Sequence, residues 1–247
     1  MKRLGNYIAI IGADAARYGD ALAQHCADVL LLPPCTTSDR RIACHPDTLM
    51  AQIGDALVVS AAYAAQVSDV FSRMERQTAC RIVYASGIIG VRYPTDIGCN
   101  VLLRGEYLYG LVPYLWPEVM AAAAEKGKTV RSVRQGYAGC SALVCGDLVI
   151  SADPSILRAV SEDGAEILPI TPGGIELPGY DRGFIGGASG FCEGTAVFFG
   201  NPERHPDGAM LRETLERRGI GILSLADTSL FDGGGIQFVP ARENLFP

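Results

Sequence analysis

Among the eight cysteines and three histidines of this sequence, the positions of Cys140, His45 and His205 suggest covalent or acid–base chemistry. Cys140 lies in the segment RQGYAGCSALVCGDLVISAD, where a short apolar strand is expected to begin. A cysteine becomes a nucleophile when a neighbouring imidazolium lowers its pKa, but buried cysteines also pack as small apolar side chains. His45 and His205 both open the tripeptide His-Pro-Asp; His45 precedes a predicted strand, whereas His205 precedes a predicted helix. The place of Cys140 in the fold therefore decides between the two interpretations.

The composition is that of a globular protein without a nucleic-acid or membrane partner. Apolar residues make up 49% of the 247 residues and charged residues 19%, and the net charge is −6 with a pI of about 5.1. No run of lysine and arginine provides the basic patch that nucleic acid or an anionic membrane requires. No apolar run approaches the ~18 residues of a membrane span, and the first residues lack the long apolar region of a signal peptide. We therefore expect a cytoplasmic protein.

The eight cysteines are placed singly along the chain, without Cys-x-x-Cys pairs. Outside a secreted context this pattern indicates free thiols rather than a disulfide framework. Cys44 and His45 are adjacent, whereas structural zinc sites use ligands at short spacings. We therefore predict neither a bound metal nor a cofactor.

One pattern recurs along the chain: two short apolar strands around a glycine-bearing turn, then a helix, then a third strand. Segments 10–34 and 149–172 both show an apolar strand, Ala-Asp, a helix-like stretch and a second apolar strand. The aspartates in these segments, Asp14 and Asp153, are of the type that caps a helix N-terminus. The pattern predicts a single domain over residues 1–247 with five units, at approximately 6–35, 45–87, 99–135, 140–172 and 188–226, and a closing strand at 235–239.

The first unit lacks its opening strand, and the strand-like segment 235–239 lacks a unit. Pairing the two would remove the exposed edges that an open array carries. The sequence therefore predicts an α/β fold, a five-unit ββαβ propeller closed by pairing of its N- and C-terminal strands. The alternative is a doubly wound α/β sheet in which IGADAA is a dinucleotide loop, but the Gly-x-Gly-x-x-Gly pattern is missing.

Six short motifs resemble a family with a known fold. YPTDIGCNV, VRQGYAGCS, ISAD, LPGYDRGFIGGASG, FFGNPERHPD and LFDGGGI occur in this order between about residues 42 and 240. Their order and spacing resemble a bacterial family of unknown function with the pentein fold. This is the α/β-propeller of guanidine-modifying enzymes, which include arginine and agmatine deiminases, dimethylarginine hydrolases and amidinotransferases. The segment CTTSDRRIACHPD departs from the proline-rich approach to HPD in that family. The resemblance implies a pentein fold and leaves the activity open.

The resemblance also implies a polar central pocket. In the pentein fold the first strand of each unit lies nearest the axis, so the residues where that strand begins converge on one central pocket. The residues at those positions are His45, Asp47, Asn100, Cys140, Ser141, Ser189 and Asp232, with Gln135, Tyr137 and Asp153 close to them in sequence. Burying such groups without partners costs about 1–3 kcal/mol each. We therefore expect them to pair with each other, with water or with a ligand.

Catalytic penteins use a thiolate that attacks the guanidinium carbon, a histidine that transfers protons and carboxylates that hold the guanidinium. The resemblance assigns the nucleophile to Cys140 and the acid–base role to His45. It assigns the guanidinium-holding role to Asp47, Asp153 and Asp232, and the remaining candidates for substrate binding are Asn100, Gln135, Tyr137, Ser141 and Ser189. In the agmatine-deiminase branch the nucleophile is the cysteine that follows three glycines near the C-terminus, in GGGNIHC. This chain has GGGIQFVP at the corresponding place, without a cysteine. Cys140 lies in the equivalent position of another unit.

Two functions are consistent with these residues. The first is a cofactor-independent thiol hydrolase that acts on a guanidine or a related C–N bond and takes a small guanidine-like ligand in the central channel. The second is a non-catalytic propeller that binds a small molecule or a protein partner, as the ribosomal anti-association factor of this fold does. The thiol, imidazole and carboxylates favour the first function, and the missing C-terminal cysteine favours the second.

Overall fold

The computed structural model describes residues 4–242, which form seventeen strands and eight α-helices within that range. The strands are β1 (Tyr7–Gly12), β2 (Asp28–Leu32), β3 (Met50–Ile53), β4 (Ala56–Ser60), β5 (Arg81–Ala85), β6 (Leu102–Arg104), β7 (Tyr107–Gly110), β8 (Thr129–Ser132), β9 (Ala142–Cys145), β10 (Leu148–Ser151), β11 (Glu166–Pro169), β12 (Ile175–Glu176), β13 (Ser189–Cys192), β14 (Thr195–Phe198), β15 (Gly221–Ser224), β16 (Leu230–Phe231) and β17 (Gln237–Pro240). The helices are α1 (Gly19–Ala23), α2 (Pro46–Leu49), α3 (Ala61–Gln66), α4 (Ser68–Gln77), α5 (Pro117–Glu125), α6 (Ala138–Ser141), α7 (Pro154–Glu162) and α8 (Gly208–Arg217). Three 3-10 helices cover Ala13–Tyr18, Val112–Tyr114 and Pro202–Arg204.

Five three-stranded sheets share one topology. Their strand orders are β17-β1-β2, β3-β4-β5, β6-β7-β8, β9-β10-β11 and β13-β14-β15. In each sheet the central strand pairs antiparallel with the first strand of the order and parallel with the third. A parallel partner needs a crossover, so helices lie between the second and third strands of each unit. A further pair, β12 and β16, forms a two-stranded parallel sheet.

Local chemistry explains the hairpin turns and the buried central strands. Gly146, in the turn between β9 and β10, has a φ of 65°, which a glycine adopts without the steric cost of a Cβ. Every residue of β4, β10 and β14 is buried. Because these strands are covered on both faces, their sequences are short apolar runs rather than alternating ones.

The N- and C-terminal strands pair as expected. β1 and β17 are antiparallel, with Ile8 opposite Val239 and Ile10 opposite Gln237. Each of the other four sheets is built from consecutive strands, so this pairing supplies the first sheet with its third strand. The doubly wound alternative is wrong, because no sheet within residues 4–242 has more than three strands.

The two predicted helix caps differ. The Asp153 carboxylate accepts hydrogen bonds from the backbone N–H groups of Ser155 at 2.8 Å and Ile156 at 3.0 Å, and it caps α7 as predicted. The prediction for Asp14 is wrong. The chain passes from β1 straight into the 3-10 helix Ala13–Tyr18, so Gly12 occupies the cap and Asp14 lies inside the helix.

Candidate functional site

A cavity of about 330 Å³ is lined by four of the predicted site residues: Tyr137 and three buried polar residues, His45, Cys140 and Asp232. Its apolar walls include Ile42, Leu177 and Phe184. The three polar residues are 2%, 5% and 2% exposed, respectively, so their charges are poorly solvated. The cavity therefore combines a thiol, an imidazole and a carboxylate in a largely apolar environment.

Cys140 lies on the single turn of α6, directly before β9, rather than on the strand itself. The side-chain amide of Asn100 donates a hydrogen bond to its Sγ at 3.1 Å. The Asn100 Oδ1 accepts from the N–H of Gly139 at 2.7 Å, and its Nδ2 also donates to the Asp47 carbonyl at 3.0 Å. Asn100 is fully buried, and its hydrogen bond fixes the sulfur from the interior of the protein.

The environment of Cys140 favours the neutral thiol. Burial raises its pKa well above the usual value, and the nearby carboxylates of Asp47 and Asp232 raise it further. The amide of Asn100 acts in the opposite direction, because a donor stabilises the thiolate. Without a ligand the thiol is therefore protonated at neutral pH, and a cation bound beside it would favour the thiolate.

His45 lies between two carboxylates from distant parts of the chain. Its Nε2 is 3.4 Å from Asp14 Oδ2, and its Nδ1 is 3.8 Å from Asp232 Oδ1. The Nε2 contact does not meet hydrogen-bond geometry, so the interaction is mainly electrostatic. Burial lowers the pKa of His45, but Asp14, Asp232 and Asp47 outweigh it and raise the pKa above its usual value. The site therefore favours an imidazolium, which is the form that can donate a proton.

Asp232 is fixed by two backbone donors. Its Oδ2 accepts from the N–H of Phe184 at 2.8 Å and its Oδ1 from the N–H of Gly234 at 3.1 Å. Burial raises its pKa, while His45 and these two donors act to lower it. A Cβ on Gly187 would lie 2.0 Å from Asp232 Oδ1, so only glycine allows the chain to pass this close.

Asp47 lies next to this cavity but lines a second one. The second cavity has a volume of about 200 Å³ and is lined by β3, β6, β9, β13 and β17 together with neighbouring residues; we call it the axial channel, after the axis of the predicted propeller. Neither carboxylate oxygen of Asp47 accepts a hydrogen bond from any described residue. Burial raises the pKa of Asp47 to about 7, because the lowering effect of His45 is smaller.

The other predicted site residues divide among three places. Tyr137 lines the cavity of His45 and Cys140, and its hydroxyl donates to Asp96 Oδ2 at 2.6 Å. Ser189 lines the axial channel and donates to the carbonyl of Ile185 at 2.6 Å. Gln135 and Ser141 line a separate cavity beside Asp153, so this arrangement does not bring them to the thiol.

Their hydrogen bonds explain this separation. The Gln135 Nε2 donates to Asp153 Oδ2 at 2.8 Å, and the Ser141 hydroxyl donates to the Tyr137 carbonyl one turn earlier in the chain. Asp153 is occupied by the capping of α7. These hydrogen bonds keep Gln135, Ser141 and Asp153 in the separate cavity, away from the cavity of Cys140.

Sequence reasoning missed the place of Asp14 beside His45, whereas the glycine-rich loop that contributes Tyr180 and Arg182 to the cavity could be read from the sequence; we call residues 177–184 the covering segment. Asp14 follows β1 as Asp153 follows β10, and its type alone suggested a cap. The covering segment includes Tyr180, whose hydroxyl donates to Asp39 Oδ2 at 3.2 Å. The Arg41 guanidinium stacks 4.1 Å above the Tyr180 ring and donates to the carbonyl of Gly179 at 3.0 Å. Arg41 belongs to the segment in which the sequence departs from the resembled family.

Two kinds of feature are not found within residues 4–242. No group of three or more histidine, cysteine, aspartate or glutamate side chains there is placed to hold a metal ion. No helix in the same range is long and apolar enough to cross a membrane.

Solved structures with a similar fold include guanidine-modifying enzymes. Dimethylarginine dimethylaminohydrolase from Pseudomonas aeruginosa, a cysteine-to-serine mutant complexed with citrulline, has a TM-score of 0.54 at 12% identity; the match covers 92% of this chain and 93% of the enzyme. ArgZ, an arginine dihydrolase from cyanobacteria, has a TM-score of 0.57 at 12% identity over 98% of this chain and 40% of ArgZ. The N-terminal domain of ArgZ, covalently bound to a reaction intermediate, has a TM-score of 0.56 at 10% identity, over 98% of this chain and all of the domain. The chain thus has a mixed α/β fold similar to that of penteins, which confirms the resemblance.

Residues 12–237 match a family of unknown function, DUF6873, and the chain belongs to that family. No curated protein is similar to it in sequence. The structural likeness at this low identity concerns the fold alone.

We predict that Asp14→Asn lowers the pKa of His45, because the substitution removes one of the carboxylates that stabilise the imidazolium. The pKa of His45 can be measured by NMR titration of its ring protons in both proteins. Asp20→Asn, on the neighbouring helix α1, is the matched control and should leave the pKa of His45 unchanged. An unchanged His45 pKa in Asp14→Asn would contradict the electrostatic role of Asp14.

We predict that Asp47 makes the free energy of unfolding fall as the pH rises. An unfolded aspartate loses its proton near pH 4, whereas folded Asp47 keeps it until about pH 7. Between these values the folded state binds the extra proton, so stability decreases by up to about 1.4 kcal/mol per pH unit. Asp47→Asn should remove this contribution, as urea denaturation between pH 4 and pH 8 would measure. The exposed Asp181→Asn is the control, and an equal pH slope in wild type and Asp47→Asn would refute the prediction.

Proposed function

We propose that this protein is a cofactor-independent thiol hydrolase of guanidinium or amidinium compounds. One observation carries the proposal: Cys140, His45 and Asp232 line the same apolar cavity. We also propose that the five sheets are the blades of one closed propeller. The lining of the axial channel by strands from all five sheets supports this arrangement.

The charges around the cavity favour a cationic ligand. Three carboxylates, those of Asp14, Asp47 and Asp232, act on the single imidazole of His45. Asp47 and Asp232 are buried whereas Asp14 is exposed. With His45 protonated, full ionisation of the two buried carboxyls would still leave an excess of negative charge in a poorly solvated place. A planar guanidinium would neutralise part of that charge, and Asp232 could accept its N–H groups in a charge-assisted bond.

The apolar walls of the cavity also favour a ligand of a particular shape. Ile42, Leu177 and Phe184 give the cavity apolar walls, which suit the carbon chain of an alkylguanidine. The ring of Tyr180 lines the same cavity beneath the guanidinium of Arg41. A small ligand with a cationic planar head and an apolar chain therefore fits the chemistry of the walls.

The proposed reaction uses one nucleophile and one acid–base group. Binding of the cation releases the Cys140 proton to solvent, and the thiolate then adds to the guanidinium carbon and forms a C–S bond. The C–N bond breaks as the His45 imidazolium gives its proton to the leaving amine. The neutral imidazole next takes a proton from water, whose oxygen attacks the same carbon. The C–S bond breaks and regenerates the Cys140 thiolate, and the urea-type product gives up its extra proton to the released amine or to solvent as it leaves.

A second candidate function is ligand binding without chemistry. The pKa of Cys140 is raised well above the usual value of a thiol, and the segment after Gly235 carries no cysteine. Both observations favour a site that holds a small cation and does not attack it. The two candidates share the same ligand and differ only in the reactivity of Cys140.

We predict that a panel of alkylguanidines and alkylamidines releases amine in the presence of the protein, and that Cys140→Ala abolishes the release. Colorimetric detection of ammonia and mass spectrometry of the ureido or amide product measure the reaction. Cys145→Ala is the matched control, because Cys145 is also buried but lies outside the cavity. Activity that persists in Cys140→Ala would overturn the assigned nucleophile.

The rate of alkylation by iodoacetamide separates the two candidates. For a hydrolase we predict that a bound guanidinium lowers the apparent pKa of Cys140, because a cation beside the sulfur stabilises the thiolate. The measurement is the rate of adduct formation at Cys140 against pH, with the ligand kept below full occupancy. No product from any compound, together with an apparent pKa that the ligand leaves unchanged, would refute the hydrolase and leave binding alone.

A further inference from the structure

The axial channel is built from unpaired strand edges. Its walls come from β3, β6, β9, β13 and β17, and each of these is an edge strand, paired on one side only within its sheet. The free edge of such a strand presents backbone N–H and C=O groups that need other partners. One such pair is satisfied directly: the N–H of Ile236, just before β17, donates to the carbonyl of Ser189 in β13 at 3.0 Å. The channel is therefore polar along its walls although many of its side chains are apolar.

The partly exposed wall residues of the channel are uncharged. Each of the five wall strands contributes one of them: Gln52, Leu103, Val144, Phe191 and Gln237. None of these side chains can neutralise a charge inside the channel. A volume of about 200 Å³ admits water molecules and small ions.

Asp47 is the charged residue among those that line the channel. Its backbone is fixed, because its N–H donates to the Gly234 carbonyl at 3.1 Å and its carbonyl accepts from Asn100 at 3.0 Å. Its side chain, on a residue that is 7% exposed, has no hydrogen-bond partner among the described residues. An ionised carboxylate in this position is costly unless a proton or a cation accompanies it.

The groups that face Asp47 do not supply that cation. His45 is the positive group that acts on Asp47, whereas Asp14 and Asp232 are negative. The thiols of Cys99 and Cys140 also lie within electrostatic range, and that of Cys140 is close enough to lower the pKa of Asp47. Asp232 and Asp14 both compete with Asp47 for the charge of His45. Asp47 is therefore left with an unbalanced negative charge whenever it is ionised.

We propose that the axial channel binds a small monovalent cation of the size of ammonium or potassium, held by the Asp47 carboxylate and by carbonyl oxygens of the strand edges. Such a mixture of carboxylate and carbonyl oxygens suits a hard cation. A transition metal is not favoured, because residues 4–242 hold no group of three ligating side chains. The site adjoins the cavity of Cys140, because the thiol lies beside Asp47, but it does not require that the thiol reacts.

The test is the thermal stability of the protein in chloride salts of equal ionic strength at about pH 8. Ammonium and potassium should raise the Tm saturably relative to choline, by about 3–6 °C at ten times the Kd. Choline is the control for ionic strength, because the methyl groups on its nitrogen keep the charge further from oxygen ligands than ammonium or potassium would be. The comparison between ammonium, potassium and sodium gives the selectivity of the site.

Two variants connect the effect to the channel. Asp47→Asn, which keeps the shape of the side chain, should lose the response, whereas Asp181→Asn outside the channel should keep it. Cys145→Ala should also keep it, because Cys145 lies outside both cavities. The response requires no reaction at Cys140, so a failure of the proposed hydrolysis would leave this inference intact. At about pH 5 the response should shrink, because Asp47 then holds a proton.

A crystal soaked in thallium(I) provides a readout that does not depend on stability. We expect an anomalous peak inside the axial channel next to Asp47 in the wild-type protein. An equal Tm in ammonium, potassium and choline, or a response that survives in Asp47→Asn, would overturn the proposal. A thallium peak elsewhere with an empty channel would do the same.

Discussion

The burial of several carboxylates around one imidazole is the constraint on which the rest of the site depends. Asp47 and Asp232 lie almost out of reach of solvent, and His45 is the positive group that acts on both of them. Protons are therefore held more tightly than usual on these two carboxyls, on His45 and on the Cys140 thiol. A cationic ligand is the natural counterpart of such a site, because it replaces the bound protons and removes the cost of burying the charge.

The backbone is shaped to keep these groups in place. A Cβ on Gly187 would collide with the Asp232 carboxylate, and one on Gly234 would lie 2.3 Å from the Cβ of His45. The glycines therefore allow two chain segments to pass against the site, where the N–H of Gly234 and that of Phe184 fix Asp232. The same close approach places Gly234 at the inner wall of the axial channel, next to Asp47. Loss of either glycine would disturb both cavities together.

The repeating strands, the pairing of the chain ends and the cap at Asp153 could be predicted from the sequence, because each depends on local periodicity or on a short motif. The shared cavity of His45 and Cys140 followed from the resemblance, since the motifs fix where each unit begins. The division of the polar residues between cavities could not be predicted. A single turn such as α6 directs consecutive side chains to different sides, so Cys140 and Ser141 face different cavities. The contact of Asp14 with His45 depends on how two units pack, which no local pattern encodes.

The central claim is that the buried negative charge makes the cavity of Cys140 select a planar cation. The most direct measurement is calorimetric titration of the wild-type protein with an alkylguanidinium and with the alkylurea of the same shape, at about pH 8. The account predicts saturable binding of the guanidinium with release of protons, and binding of the neutral urea at least tenfold weaker, which corresponds to about 1.4 kcal/mol. Equal affinities for the two compounds would contradict it.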